Sequence, residues 1–143
     1  MRNRLYFSAV CAAMLGVAPV TMQAQDVKVI VNSANSVGEL PAADVTNIFL
    51  KKTARFPGGT AAVPVDQAKG SAVRGAFSKS VLGRPAGAVE AYWQQQIFAG
   101  GELPPSTKAS DDDVVAFVKA TPGAIGYVSS GASVAGVKVV TVK

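Results

Sequence analysis

The run Asp66-Gln67-Ala68-Lys69-Gly70-Ser71-Ala72-Val73-Arg74 gathers a carboxylate, an amide, two cations and a hydroxyl around one glycine. Ala62-Val63-Pro64-Val65 ahead of it reads as a short strand, whose proline favours an edge or terminal position. Gly70-Ser71 can open a helix with a buried stripe of Val73, Phe77 and Val81, ending at Gly83. Where a strand passes through a polar loop into a helix, the free N–H groups of the first turn face the loop, and the helix dipole favours an anion there. On that reading Gly70, Ser71 and Ala72 form the helix start, Ser71 adds a hydroxyl, and Lys69 or Arg74 adds charge. The other reading is ordinary capping, with Ser71 satisfying its own helix and the two cations solvated. Most capped helix starts bind nothing, so spacing alone leans to capping.

Other reactive groupings are weaker. Asp111-Asp112-Asp113 suits the positive end of a helix, and carboxylates at adjacent helical positions point apart, which fits metal chelation poorly. Trp93 shares a four-residue spacing with Val89 and Ile97, so it reads as core, while Tyr92 lies off that stripe and is more open. The chain has no histidine and no Ser-x-x-Lys spacing, so a serine nucleophile lacks its base. No carboxylate pair is singled out for acid–base work. These absences point away from an enzyme.

The elements that must position these residues follow from periodicity. Val27-Lys28-Val29-Ile30-Val31 is a nearly continuous apolar strand, suited to a sheet covered on both faces. Pro41 followed by Val45, Ile48 and Phe49 predicts a helix from about Ala42 to Lys51, and Arg55 to Thr60 has turn chemistry. Pro85 starts a third helix closed by Gly100-Gly101. Ser110 with Asp113 caps a fourth, whose stripe is Val114, Phe117 and Val118. Pro122-Gly123 stops it, and strands follow at Ala124–Val128 and Val137–Val142. The expectation is one α/β domain without repeats.

The amino terminus reads as an export signal. Arg2 and Arg4 precede an uncharged stretch from Leu5 to Val20, and Met22-Gln23-Ala24 offers a cleavage site near Ala24. Sixteen residues interrupted by Gly16 and Pro19 fall short of the roughly 20 that span a bilayer, so no stable membrane anchor is expected. Val10 before Cys11, the single cysteine, argues against a lipid anchor. The boundaries are therefore residues 1–24 as signal and 25–143 as one domain. That domain carries 12 basic and 9 acidic residues, net +3, without cysteine or histidine. Disulfides and the usual zinc sites are excluded, and scattered cations without an aromatic–basic stripe argue against nucleic acid.

The segments VTNIFLKKTARFPGGTAAVPVDQAKGSAVRGAFSKSVLG, AYWQQQIFAGGELPP and SDDDVVAFVKATPGAIGYV, in that order, resemble the periplasmic solute-binding proteins of phosphate ABC importers, in particular their short phosphate-binding-protein-like members. The resemblance runs from about Val29 to Val128. Its most specific pieces are Asn47-Ile48-Phe49-Leu50, the Phe77 helix and Thr121-Pro122-Gly123-Ala124-Ile125-Gly126-Tyr127. It implies one lobe of a type 2 periplasmic-binding fold, with a central mixed sheet flanked by about four helices. It also implies a non-enzymatic, periplasmic solute-binding role toward phosphate or a similar oxyanion, linked to ABC-type uptake or sensing.

In full-length relatives two lobes close over an anion held by loop hydroxyls, helix N-termini and an arginine. This chain keeps Gly70 and Ser71, has Asp66 where that arginine would fall, and has Ala72-Val73 in place of Gly-Thr. The implied ligand set is Asp66, Gln67, Lys69, Gly70, Ser71, Ala72 and Arg74, with no cofactor and no metal. Asp66 can accept a hydrogen bond from a protonated phosphate and repels a fully ionised one. An ABC permease or another envelope protein is the implied partner. The other expectation is an interaction protein that keeps one lobe and docks on a protein without binding a small ligand.

Overall fold

The computed structural model describes residues 26–143, so the expected export signal lies outside the described residues. In chain order the elements are β1 (Val27–Asn32), β2 (Glu39–Leu40), α1 (Ala42–Phe49), β3 (Val63–Gln67), α2 (Ala72–Ser80), α3 (Ala86–Phe98), β4 (Ser106–Lys108), α4 (Asp111–Ala120), β5 (Ala124–Ser129) and β6 (Val137–Val142). The strands form one mixed sheet in the order β2-β6-β1-β5-β3-β4. β1 runs antiparallel to β5 and β6, whereas β3 is parallel to both β5 and β4.

The continuous apolar run of β1 is explained by burial on both faces. Val29 and Val31 join a core with α1, α2 and α3, while Ile30 joins a second core under α4. β5 alternates in the same way, Ile125 and Tyr127 on the first side and Ala124 and Val128 on the second. On the three-helix side Phe77 stacks on Tyr127 with ring centroids 3.9 Å apart, and Phe49 tilts against Phe77 at 4.8 Å. On the other side Gly126 lets α4 approach the sheet, because a Cβ there would stand 2.7 Å from Val114 Cγ1. Asn32, at the end of β1, donates to the carbonyls of Val118 and Lys119 and so closes the carboxyl end of α4.

Several expectations shift. α1 ends at Phe49 rather than Lys51, because Leu50 is the cap and Lys51 turns to a φ of 54°. Pro64 is the second residue of β3, which keeps the terminal alternative, but the strand is interior and not an edge. Val63 donates to Gly123 on the β5 side, so the N–H missing from Pro64 would face the other side, where β4 pairs only from Val65 onward. Ile97 is 52% exposed, although Val89 and Trp93 are buried. Each four-residue step overshoots a full helical turn by about 40°, so the stripe has rotated off the core by the third residue. Pro85 is the cap of α3 and not its first residue. Tyr92 is half-buried and donates to the Leu50 carbonyl at 2.9 Å.

Candidate functional site

β3 carries consecutive polar residues into the sheet, and its alternation sends them to opposite faces. Asp66 turns toward Arg74 of α2, and the Gln67 side chain turns toward Asp111 at the start of α4. After β3, Gly70 adopts a φ of 86°, which a glycine tolerates, and the chain reverses into α2. Both α2 and α4 therefore begin near the carboxyl end of β3, where ligands of open α/β sheets commonly bind.

Gln67 is the hub. Its N–H is shared between Asp66 Oδ1 at 2.9 Å and the Tyr127 hydroxyl at 3.2 Å. Its side-chain amide donates to Asp111 Oδ1 at 2.7 Å and to the Tyr127 carbonyl at 3.1 Å, and Oε1 accepts from the Ser71 hydroxyl at 3.0 Å. Its carbonyl accepts from Arg74 Nη1 at 3.2 Å. Tyr127 donates a hydrogen bond to Asp66 Oδ1, and Asp66 Oδ2 lies 3.7 Å from Arg74 Nη2. Asp66, Gln67 and Arg74 are all buried.

The electrostatics follow from these contacts. Burial, then the charge of Asp66 and the hydrogen bond to it, push the Tyr127 hydroxyl far above its ordinary value. Tyr127 is thereby fixed as a donor. Burial raises the Asp111 carboxyl, but the Ser129 hydroxyl, the Gln67 amide and the Ser129 N–H together outweigh it and hold Asp111 below its ordinary value. Ser129 Oγ donates to Asp111 Oδ2 at 2.6 Å. Asp111 is thus a structural acceptor, beyond the helix-dipole role its position suggests.

The residues expected to bind an anion divide into three groups. Asp66, Gln67, Ser71 and Arg74 come together in one network; Ser71 accepts from Arg74 N at 3.3 Å and so also serves as the cap of α2. Lys69 stands apart and pairs with Glu90 of α3 at 3.3 Å. Gly70 and Ala72 are exposed. Among the described residues, the N–H groups of Ala72 and Val73 have no protein acceptor. Tyr127, Asp111 and Ser129 complete the network, yet lie 60, 44 and 62 positions beyond Gln67, and nothing local in the sequence pairs them with it.

Asp66, Lys69 and Arg74 also line a cleft of about 210 Å³ with Trp93, Pro104 and Thr107. A larger groove of about 820 Å³ lies on the other side of α2, walled by Val27, Val29, Val140 and Val142. Asp26, Ala72, Lys79 and Ser80 also border this groove, so the start of α2 faces it while Asp66 and Arg74 face the smaller cleft. Among the described residues, no cluster of His, Cys, Asp or Glu is arranged to hold a metal. Among the same residues, no helix is long and apolar enough to cross a membrane.

The chain has the fold of phosphate ABC transporter substrate-binding proteins. A putative phosphate ABC transporter substrate-binding protein with bound phosphate from Clostridium perfringens superposes with a TM-score of 0.65 at 20% identity, over 82% of this chain and 45% of that one. An ABC-type phosphate transport receptor from Vibrio cholerae gives 0.63 at 17% identity, over 82% and 46%. PstS from Borrelia burgdorferi gives 0.64 at 12% identity, over 83% and 47%. The chain thus spans less than half the length of these structures. No protein-family model matches the sequence, and no curated protein does.

Proposed function

We propose that this chain is a non-enzymatic binding module of the periplasm, exported by residues 1–24, whose ligand is a small oxyanion such as phosphate. The observation that carries the reading is the start of α2. Two N–H groups, of Ala72 and Val73, unpaired among the described residues, stand at the positive end of a helix beside Ser71 and Arg74, on a fold that a phosphate-bound protein shares. Asp66 is held in place to accept a hydrogen bond from the ligand, which favours a protonated oxyanion over a fully ionised one. The role in transport is delivery to, or sensing beside, an ABC permease.

A thermal-melt series on the protein recovered from a periplasmic extract tests this, with phosphate, sulfate and molybdate against chloride at matched ionic strength. An anion saturating the site at about 100 times its Kd adds about 2.7 kcal/mol, a rise of several degrees. Ala72→Pro is the decisive variant. Proline is tolerated at the first helical position but removes the N–H, so the fold persists and the anion-dependent rise shrinks. A rise that Ala72→Pro leaves intact places the anion elsewhere.

A second reading is favoured by one specific observation: Asp66 already accompanies Arg74, and Glu90 already accompanies Lys69, so both cations of the site have partners. On that reading the lobe docks on another envelope protein and takes no small ligand. Silence toward every anion, together with a stoichiometric partner in envelope pull-downs, supports it over the first.

A further inference from the structure

Phe98, the last residue of α3, is 93% exposed, and Leu103 in the following loop is 64% exposed. With Ile97 at 52%, three large apolar side chains within seven positions are left in water. Single exposed apolar residues are ordinary, whereas a contiguous group marks an interaction surface. The group borders the 210 Å³ cleft, since Ile97 and Pro104, the chain neighbours of Phe98 and Leu103, both line it beside Trp93 and Pro105. β4, which follows this loop, is an edge strand of three residues.

We propose that this surface binds a second copy of the same chain about a two-fold axis, with Phe98 of each copy seated in the cleft of the other. A two-fold contact requires a self-complementary patch. This one carries a protruding aromatic beside a hollow whose walls include Trp93, Ile97, Pro104 and Pro105. The charges are self-complementary as well. Lys69 and Glu90 both line the cleft and pair at 3.3 Å within one copy, and in the proposed contact they exchange partners, the Lys69 of one copy against the Glu90 of the other. An exposed aromatic entering a pocket is the usual anchor of such a contact. Phe98 offers on the order of 200 Å², against about 800 Å² per partner in a standard interface. The dimer therefore falls in the weak class and dissociates on dilution through the micromolar range.

Sedimentation velocity of the protein as cells process it, over a dilution series from about 200 to 1 μM, reads the monomer–dimer equilibrium. The expected result is a concentration-dependent dimer that Phe98→Asp weakens at least 30-fold while the circular-dichroism melt stays unchanged. Val139→Asp, at an exposed apolar position on β6, leaves the dimer intact. Mixing Lys69→Glu with Glu90→Lys restores the association that each variant loses alone. A monomer throughout the series overturns the proposal. So does a dimer indifferent to Phe98→Asp, which places the contact elsewhere, or a mixture that fails to reassociate. Because Asp66, Lys69 and Arg74 line the same cleft, the series is run in chloride without phosphate, sulfate or molybdate, so that its outcome is separate from anion binding.

Discussion

Replacing Asp66 by asparagine keeps the shape of the buried carboxylate and deletes its charge. The Asp66 and Arg74 side chains are 12% and 11% exposed, so the guanidinium is left as a buried cation without its counter-charge. Breaking such a pair typically costs about 3–5 kcal/mol. The 3.7 Å separation is an ion pair rather than a hydrogen bond, and Arg74 keeps its bond to the Gln67 carbonyl, so the low end applies, about 3 kcal/mol. For a domain of this size that lowers the melting temperature by about 10 °C. Urea unfolding followed by circular dichroism gives the difference directly, provided the m-value is unchanged. Adding Arg74→Met removes the stranded cation, and the double variant should recover most of the loss. A loss below about 1 kcal/mol for Asp66→Asn, or a double variant no better than the single, refutes the claim that this pair is desolvated and coupled.

Three further outcomes concern the same framework. Asp111 has a folded pKa below its ordinary 3.8, so its contribution is complete above that value and is lost as pH falls through it. Urea midpoints between pH 5 and about 2.5 should therefore fall less steeply in Asp111→Asn than in the parent. Tyr127 is raised, so its contribution is complete below 10.0 and declines as pH passes it, and Tyr127→Phe should flatten that alkaline limb. Gly126→Ala puts a methyl 2.7 Å from Val114 Cγ1 and 2.8 Å from Val65 Cγ1, and should cost about 1–3 kcal/mol in the urea midpoint.

The regular elements were legible because their side chains repeat. β1 and β5 announce themselves as apolar runs, and Ser71 and Ser110 mark the starts of α2 and α4, where the structure shows both accepting from the N–H three residues on. β2 and β4, of two and three residues, are too short for any period to register. The β3–α2 junction was legible as a junction, and anion binding and capping could both be read from it. The structure shows Ser71 capping its helix while also bonding Gln67, and Arg74 buried against Asp66 rather than solvated. What spacing could not supply was the far side of the network. Asp111 looked like a surface acid satisfying a helix dipole, and only the sheet order brings it and Tyr127 to Gln67.

The Gln67 hub also sets when the site comes into existence during folding. Its partners at Tyr127 lie 60 residues away in the chain, and β5, which carries Tyr127, is seated between β1 and β3. Contacts of such long sequence separation form only after the loop-closure entropy of the intervening chain has been overcome. The helix start at Ser71 can form locally, but a partly folded or carboxyl-truncated chain has neither the Tyr127 donor for Asp66 nor the Ser129 donors for Asp111. The Gln67 network therefore closes only when β5 and α4 have docked on β3, making it a reporter of late folding.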